Sequence, residues 1–132
     1  MTTSTAERAA AGLLGVQGLV LIVVAGWEIV SLVAGDSEDT GSSIALIVLT
    51  VVGALAVIGF AIAVARGQSW GRSGGIVTQL LTLAVALGAV TGPTPAPLFA
   101  CALAVPAIVT FAVLVFAIRA AAARREEDRP AR

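Results

Sequence analysis

The 132-residue sequence contains no histidine, lysine or tyrosine, and its only cysteine is Cys101. Without histidine there is no imidazole to act as a general base or a metal ligand, and a lone cysteine cannot form an intramolecular disulfide. The sequence also has no Ser/His/Asp set, no phosphate-binding Gly-Lys loop and no CxxC pair. These absences predict a protein that is not an enzyme and that binds no metal or cofactor.

Charged residues are also scarce. They make up 12% of the chain, about half the usual share in soluble domains, while 58% of the residues are hydrophobic and the mean hydropathy is +1.02. The formal net charge is zero, so bulk charge identifies no partner, and no nucleic-acid partner is expected. This composition predicts an integral membrane protein whose main partner is the lipid bilayer, with little chain left for a soluble domain.

Four apolar stretches have the length of membrane spans, which need about 20 residues to cross a hydrocarbon core of roughly 30 Å. They cover residues 9–33, 44–65, 74–91 and 98–118. The sequence therefore predicts an all-α protein with four transmembrane helices in an antiparallel up-down bundle. Its transmembrane domain is 9–122, between an N-terminal tail of residues 1–8 and a charged C-terminal tail of residues 123–132. A signal peptide is the competing interpretation of the first stretch, but this stretch is much longer than the 7–15 residues typical of a signal core.

The breaks between the spans have distinct compositions. Residues 35–43 form a loop of glycine, serine and acids. At the end of this loop, either Ser42 or Ser43 could be the N-cap of the second helix. Residues 66–72 form a basic turn, and residues 92–97 form a proline-rich break. Pro106 lies inside the fourth span, where a kink is favoured over a break because neighbouring groups in a membrane bundle can satisfy the released carbonyl.

The arginines predict the orientation. All eight basic residues lie in three segments, namely the N-terminus (Arg8), the turn (Arg66, Arg72) and the C-terminal tail (Arg119, Arg124, Arg125, Arg129, Arg132). With four spans these segments fall on one side, so the positive-inside rule makes both termini cytoplasmic. We expect a bacterial plasma-membrane protein in which Arg66, Arg72 and the interfacial Trp70 anchor the topology.

Glu28 is the only ionisable residue inside a predicted span. Gln17 lies eleven positions earlier and projects within about 20° of it on a helix, and Ser31 lies on the same side. An intramembrane carboxyl is a candidate proton or cation site. The favoured interpretation is an interfacial anchor, because Glu28 is near the outer end of its span and its side chain can reach water.

Small residues predict helix packing. Gly12, Gly15 and Gly26 form a smooth stripe opposite Gln17 and Glu28, and such a stripe lets another helix approach closely. In the third span Gly75, Gln79 and Thr82 share one face, which we expect to lie inside the bundle. The alternative is that these glycines reflect only the frequency of glycine in membrane helices.

The stretch from Ala65 to Ser73, followed by Ile76-Val77-Thr78-Gln79-Leu80-Leu81, resembles uncharacterised small four-span integral membrane proteins of actinobacteria. The resemblance implies fold and source but no reaction, and the GC-rich codon bias suggested by the all-arginine basic set agrees with that source. Small multidrug transporters also have four spans and one membrane Glu, but their aromatic-rich chamber has no counterpart here. We therefore expect a non-enzymatic accessory or scaffold protein that packs with itself or another membrane protein. The alternative is a small proton- or cation-coupled transporter that uses Glu28.

Overall fold

The computed structural model describes residues 3–131, and these contain four α-helices and no strand. The helices are α1 (Thr5–Ala34), α2 (Thr40–Ala65), α3 (Ser69–Thr91) and α4 (Pro97–Glu127). The all-α prediction is therefore confirmed. Each helix is long and apolar enough to cross a membrane, which indicates a multi-pass membrane protein. The outermost residues of the two predicted tails, 1–2 and 132, lie outside the described range.

The helices are longer than the apolar stretches that predict them, because polar residues extend their ends. Helix α1 begins at Thr5 inside a capping box: the Ser4 hydroxyl accepts the Glu7 N–H (3.2 Å), and the Glu7 carboxylate accepts the Ser4 N–H (2.7 Å). Helix α4 continues through an alanine-rich segment to Glu127, since alanine has the highest helix propensity. The predicted basic turn shrinks to residues 66–68, and Trp70 and Arg72 lie in the first turn of α3.

The start of α2 corrects the sequence prediction. Its N-cap is Asp39, whose carboxylate accepts the backbone N–H groups of Gly41 (3.3 Å) and Ser42 (3.1 Å). Ser42 and Ser43 therefore lie within the first turn instead of capping it, because an aspartate placed just upstream satisfies the exposed amides first. Helix α4 begins at Pro97, one residue before the predicted span, and it continues through Pro106 without a break, as expected.

Glycine ends the first two helices. The C-cap of α1 is Gly35, which has a φ of 80°. Just beyond α2, Gly67 has a φ of 73°, and its N–H donates to the carbonyl of Val64 at 3.0 Å. Both glycines adopt the left-handed conformation that side chains disfavour, which lets the chain reverse direction within a few residues.

Each helix packs against two others: α1 and α3 both contact α2 and α4. Gly18 of α1 lies against Ile58 of α2, and Glu28 of α1 is hydrogen-bonded to Thr50 of α2. Residue numbers thus increase along α1 as they decrease along the facing side of α2. We call the end of the molecule that contains Glu7 the Glu7 end, and the opposite end the Glu28 end.

The apolar core lies in the half of the molecule nearer the Glu7 end. Its buried cluster consists of Ala10, Leu14, Val57, Ala61, Val64 and Leu114. Ten of the 14 buried hydrophobic residues in the described part of the chain are alanines, so the helix backbones approach closely. Large apolar side chains such as Val33 (82% exposed) and Leu98 (87% exposed) point outward, the arrangement expected of a surface that meets lipid.

Candidate functional site

The most buried charged group lies at the Glu7 end. Glu7 is 0% exposed, and its two carboxylate oxygens bind different arginines. Arg72 Nη1 of α3 lies 3.0 Å from Glu7 Oε1, and Arg124 Nη2 of α4 lies 2.8 Å from Glu7 Oε2. Arg72 Nη1 also donates to the carbonyl of Gly67 (3.2 Å). One carboxylate thus joins three helices through charge-assisted hydrogen bonds.

A second polar network lies deeper in the molecule and is uncharged. Gln17 and Gln79 exchange two amide hydrogen bonds: Gln17 Nε2 donates to Gln79 Oε1 (3.2 Å), and Gln79 Nε2 donates to Gln17 Oε1 (2.9 Å). Gln17 Nε2 also donates to the Thr110 hydroxyl (3.2 Å). Gln79 and Thr110 are both 0% exposed, so this network satisfies buried polar groups that lipid cannot solvate.

An apolar layer separates these two networks. Leu14 lies between Glu7 and Gln17 in α1, and Leu114 lies between Thr110 and Arg124 in α4; both leucines are 0% exposed. Gly75 of α3 packs against both leucines and leaves no room for a larger side chain. A Cβ added at this position would lie 3.1 Å from Leu14 Cδ1 and 3.0 Å from Leu114 Cδ1. Among the described residues, no polar side chain therefore bridges the two networks through the core.

Glu28 lies in a third environment near the Glu28 end. The Thr50 hydroxyl donates to Glu28 Oε1 at 3.1 Å, whereas Glu28 Oε2 is buried and has no hydrogen-bond partner in the described chain. Glu28 lines a pocket of about 290 Å³ together with Ser31, Asp36, Ser37 and Ser43. The pocket thus holds two carboxylate side chains and three hydroxyl groups, which are ligands that suit a hard cation or an amine.

The structure brings Glu28 and Ser31 together but places Gln17 elsewhere. Gln17 and Glu28 are eleven residues apart on one helix, which corresponds to about 16.5 Å along its axis. Gln17 instead lines a cavity of about 370 Å³ whose other polar side chains are Thr78 and Thr82. Both threonine hydroxyls donate to carbonyls of their own helix (2.9 Å each). Gln17 is the only lining residue with a side-chain amide.

The glycines predicted to pack helices fall into two groups. Gly75 is buried between leucines, whereas a Cβ at Gly12, Gly15 or Gly26 would meet no atom within 4 Å. A side chain at these three positions would therefore begin in open space within the described chain. The close contact of α1 with α2 is made by Gly18, where a Cβ would lie 2.5 Å from Ile58 Cγ1.

The three predicted topology anchors have different surroundings. Arg66 is exposed, as is Trp70, whose Nε1 donates to Gln68 Oε1 (3.1 Å) and whose ring packs edge-on against Phe60 with centroids 5.9 Å apart. Arg72 is only 6% exposed because Glu7 draws it inward. Sequence reasoning did not single out Glu7, Thr50, Thr110 or Arg124. The only local signal among these was the Ser4-x-x-Glu7 spacing, which is typical of a capping box.

No protein-family model, curated protein sequence or solved structure matches this chain. Its function must therefore be inferred from its own residues.

Proposed function

We propose that this protein is a non-enzymatic accessory or scaffold protein of a bacterial plasma membrane, which packs with itself or with another membrane protein. The observation that carries the proposal is the pairing of the buried polar groups. Glu7 is neutralised by arginines, Gln17 and Gln79 satisfy each other, and the Leu14–Leu114 layer separates the two networks. A transporter needs a polar path that reaches both sides of the bundle, and a scaffold does not.

The proposed arrangement is an antiparallel up-down bundle with both termini in the cytoplasm. The opposed numbering of α1 and α2 supports the alternating helix direction. The association of Glu7, Arg72 and Arg124 supports a common end for the N-terminus, the 66–68 turn and the C-terminus. Since all basic residues belong to these three segments, the positive-inside rule assigns that end to the cytoplasm.

The surface proposed to contact a partner is the outer face of α1 marked by Gly12, Gly15 and Gly26. In lipid, helices associate chiefly through close packing, and small residues allow their backbones to approach. These glycines have open space where a side chain would be, whereas Gly18 and Gly75 are already occupied within the chain. We assign this face to a second copy of the chain or to a helix of another membrane protein.

Replacing Gly15 and Gly26 together by leucine tests the contact face. We expect energy transfer between donor- and acceptor-labelled copies in liposomes to fall toward the level of random mixing, because each leucine side chain keeps a neighbouring helix away. Gly88→Leu is the matched control, since Gly88 of α3 also has open space at its Cβ. If the double variant and the control associate as strongly as the unaltered chain, and pull-down of membrane partners is also unchanged, the contact face is wrong.

A proton- or cation-coupled transporter is the second candidate, and one observation favours it. Glu28 Oε2 is buried without a hydrogen-bond partner among residues 3–131, beside a pocket that Asp36 also lines. Flux of protons or sodium into liposomes containing the protein tests this role directly. Under the scaffold proposal, flux equals that of empty liposomes; flux that Glu28→Gln abolishes would establish the transporter instead.

A further inference from the structure

We propose that the groove between α3 and α4 at the Glu7 end binds the phosphate headgroup of an anionic phospholipid. The groove contains a pocket of about 220 Å³, lined on α3 by Ser69, Arg72 and Ser73 and on α4 by Ile118, Ala121, Ala122 and Arg125. Arg72 and Ser73 follow Ser69 by three and four positions, and Ala121 and Ala122 follow Ile118 by three and four positions, so each wall is formed by one face of a helix. This site is independent of the scaffold role and requires only that the helices span a membrane.

The two arginines of the pocket have donors available for an anion. Arg72 uses Nη1 for Glu7 and for the Gly67 carbonyl, while its Nε and Nη2 donate to no described protein atom. Arg125 is exposed and makes no ion pair within residues 3–131. The guanidinium group of arginine offers several N–H donors in a planar fork that matches the oxygens of a phosphate.

The local charge balance leaves an excess of positive charge. Glu7 is the only carboxylate that pairs with the arginines of this end in the described structure, and it is shared by Arg72 and Arg124. The acidic residues Glu126, Glu127 and Asp128 follow Arg125 in the sequence but do not line the pocket. An anion in the groove would therefore compensate the charge of Arg125, which forms no ion pair within residues 3–131.

Helix α3 adds to this electrostatic attraction. Its N-cap residue, Gln68, makes no side-chain hydrogen bond to the first turn, so no side chain caps the backbone N–H groups there. Ser69 is the first residue of the helix and lines the pocket. The N-terminus of a 23-residue helix carries a partial positive charge, which favours an anion placed against it.

The apolar part of the groove favours a lipid over a free phosphate ion. Ile118 and Ala121 line the pocket on the side from which α4 continues into its apolar span. A phospholipid can place its phosphate between the arginines and its acyl chain along this apolar wall. Trp70, 55% exposed in the first turn of α3, lies where an aromatic side chain meets the headgroup region.

Lipid binding to the purified full-length chain in detergent tests the site, with native mass spectrometry used to titrate phosphatidylglycerol and phosphatidylcholine of identical acyl chains. We expect phosphatidylglycerol to bind at least about tenfold more tightly, because only its headgroup leaves a net negative charge for the two arginines to neutralise. Arg125→Ala should weaken phosphatidylglycerol binding about fivefold and leave phosphatidylcholine binding unchanged, since one arginine near an anionic surface contributes about that factor.

Arg119→Ala is the matched control, because Arg119 is also an exposed arginine of α4 but does not line the pocket. We expect it to bind phosphatidylglycerol as the unaltered chain does. Equal weakening by both variants would reduce the effect to general surface attraction and overturn the site. Equal affinity for the two lipids would also overturn it, and complete displacement of the lipid by millimolar inorganic phosphate would assign the pocket to a free phosphate ion instead.

Discussion

At the scale of single residues, Glu7 has two sets of partners, and only one of them is visible in the sequence. Its hydrogen bond with Ser4 is local and follows from the capping-box spacing. Its ion pairs with Arg72 and Arg124 join positions 65 and 117 residues apart, so they depend on the register between helices. The distribution of arginines predicts which side of the membrane they occupy. It does not predict which of them forms an ion pair with the buried carboxylate.

Glu7→Gln should lower the free energy of unfolding by about 2–3 kcal/mol. Breaking a buried ion pair costs about 3–5 kcal/mol, and we expect less here because Arg124 can turn to solvent. The measurement is denaturant-induced unfolding in detergent micelles, followed by tryptophan fluorescence. Glu127→Gln removes an exposed carboxylate near the end of the same bundle and should change stability by less than about 0.5 kcal/mol. Equal stability of the two variants would show that the Glu7 cluster does not stabilise the bundle.

Gln17 shows what the angular position of a residue on a helix can and cannot predict. The eleven-residue spacing places Gln17 and Glu28 in nearly the same direction around α1, but it also places them about 16.5 Å apart along the axis. Each side chain is hydrogen-bonded to residues at its own level along the helix axis. Gln17 is bonded to Gln79 and Thr110, and Glu28 is bonded to Thr50. The direction of a side chain could be predicted from the sequence, whereas its partner depended on where the other helices lie.

At the scale of helices, glycines of similar appearance in the sequence have different roles. Gly71 faces α2, where a Cβ would lie 2.8 Å from the Val64 backbone nitrogen and 2.9 Å from the Phe60 carbonyl oxygen. Gly88, on the same helix, has open space. Sequence reasoning placed Gly75, Gln79 and Thr82 on an inward face; Gly75 and Gln79 are buried, and Thr82 is half-buried. It could not identify Gly71 or Gly18 as points of close contact, because that depends on the distance between two helices.

Gly71→Ala should destabilise the protein by about 1–3 kcal/mol, because the added methyl group meets backbone atoms of α2 that cannot move aside without shifting the helix. Gly88→Ala should instead raise stability by about 0.4–1 kcal/mol, since it only removes backbone freedom from the unfolded chain. Thermal unfolding of both variants in the same detergent provides the comparison. Opposite signs are expected, and a loss of stability in both variants would contradict the close approach of α3 to α2.

The N-terminus of α2 should respond to pH through Asp39. The Ser42 hydroxyl and the backbone N–H groups of Ser42 and Gly41 donate to its carboxylate and hold the pKa of Asp39 below its usual value. A depressed pKa stabilises the folded state above the unfolded value of 3.8, and this contribution disappears as pH falls through the folded pKa. Hydrogen exchange of the first turn of α2 should therefore accelerate, relative to the first turn of α4, which has no acidic residue, as pH is lowered below about 4. Asp39→Asn keeps a capping side chain and should remove this pH dependence; an unchanged profile would exclude Asp39 as its source.

At the scale of the whole molecule, the number and class of helices could be predicted because four long apolar stretches are separated by glycine, proline and charged residues. The helix ends could not, since all four helices extend into polar segments that hydropathy assigns to tails, loops and turns. Long-range pairing supplies the reason at the Glu7 end, where Arg72 is stabilised within α3 by a carboxylate from α1. Composition predicts where a chain can enter lipid, whereas the helix ends depend on local caps such as Asp39 and Gly35 and, at Arg72, on a tertiary contact.

The proposed topology predicts which loops are accessible from each side. In a Cys101→Ser background, a membrane-impermeant maleimide should label Ser37→Cys from outside intact cells. It should label Gln68→Cys only after the membrane is permeabilised, because arginines keep that turn in the cytoplasm. Both positions lie in loops of the described structure, so they should have similar intrinsic reactivity. Labelling of Gln68→Cys in intact cells would reverse or refute the orientation.

The Glu7–Arg124 contact also has a consequence for how the protein is made. It joins α1 to α4 across 117 positions, so the ribosome must synthesise the chain through most of α4 before Glu7 gains its second arginine. Until then the carboxylate has at most one of its two cationic partners, and Leu14 has not met Leu114. The bundle thus cannot close before α4 has been synthesised. A nascent chain arrested before α4 would remain open along α1, and proteases act on such incompletely folded chains.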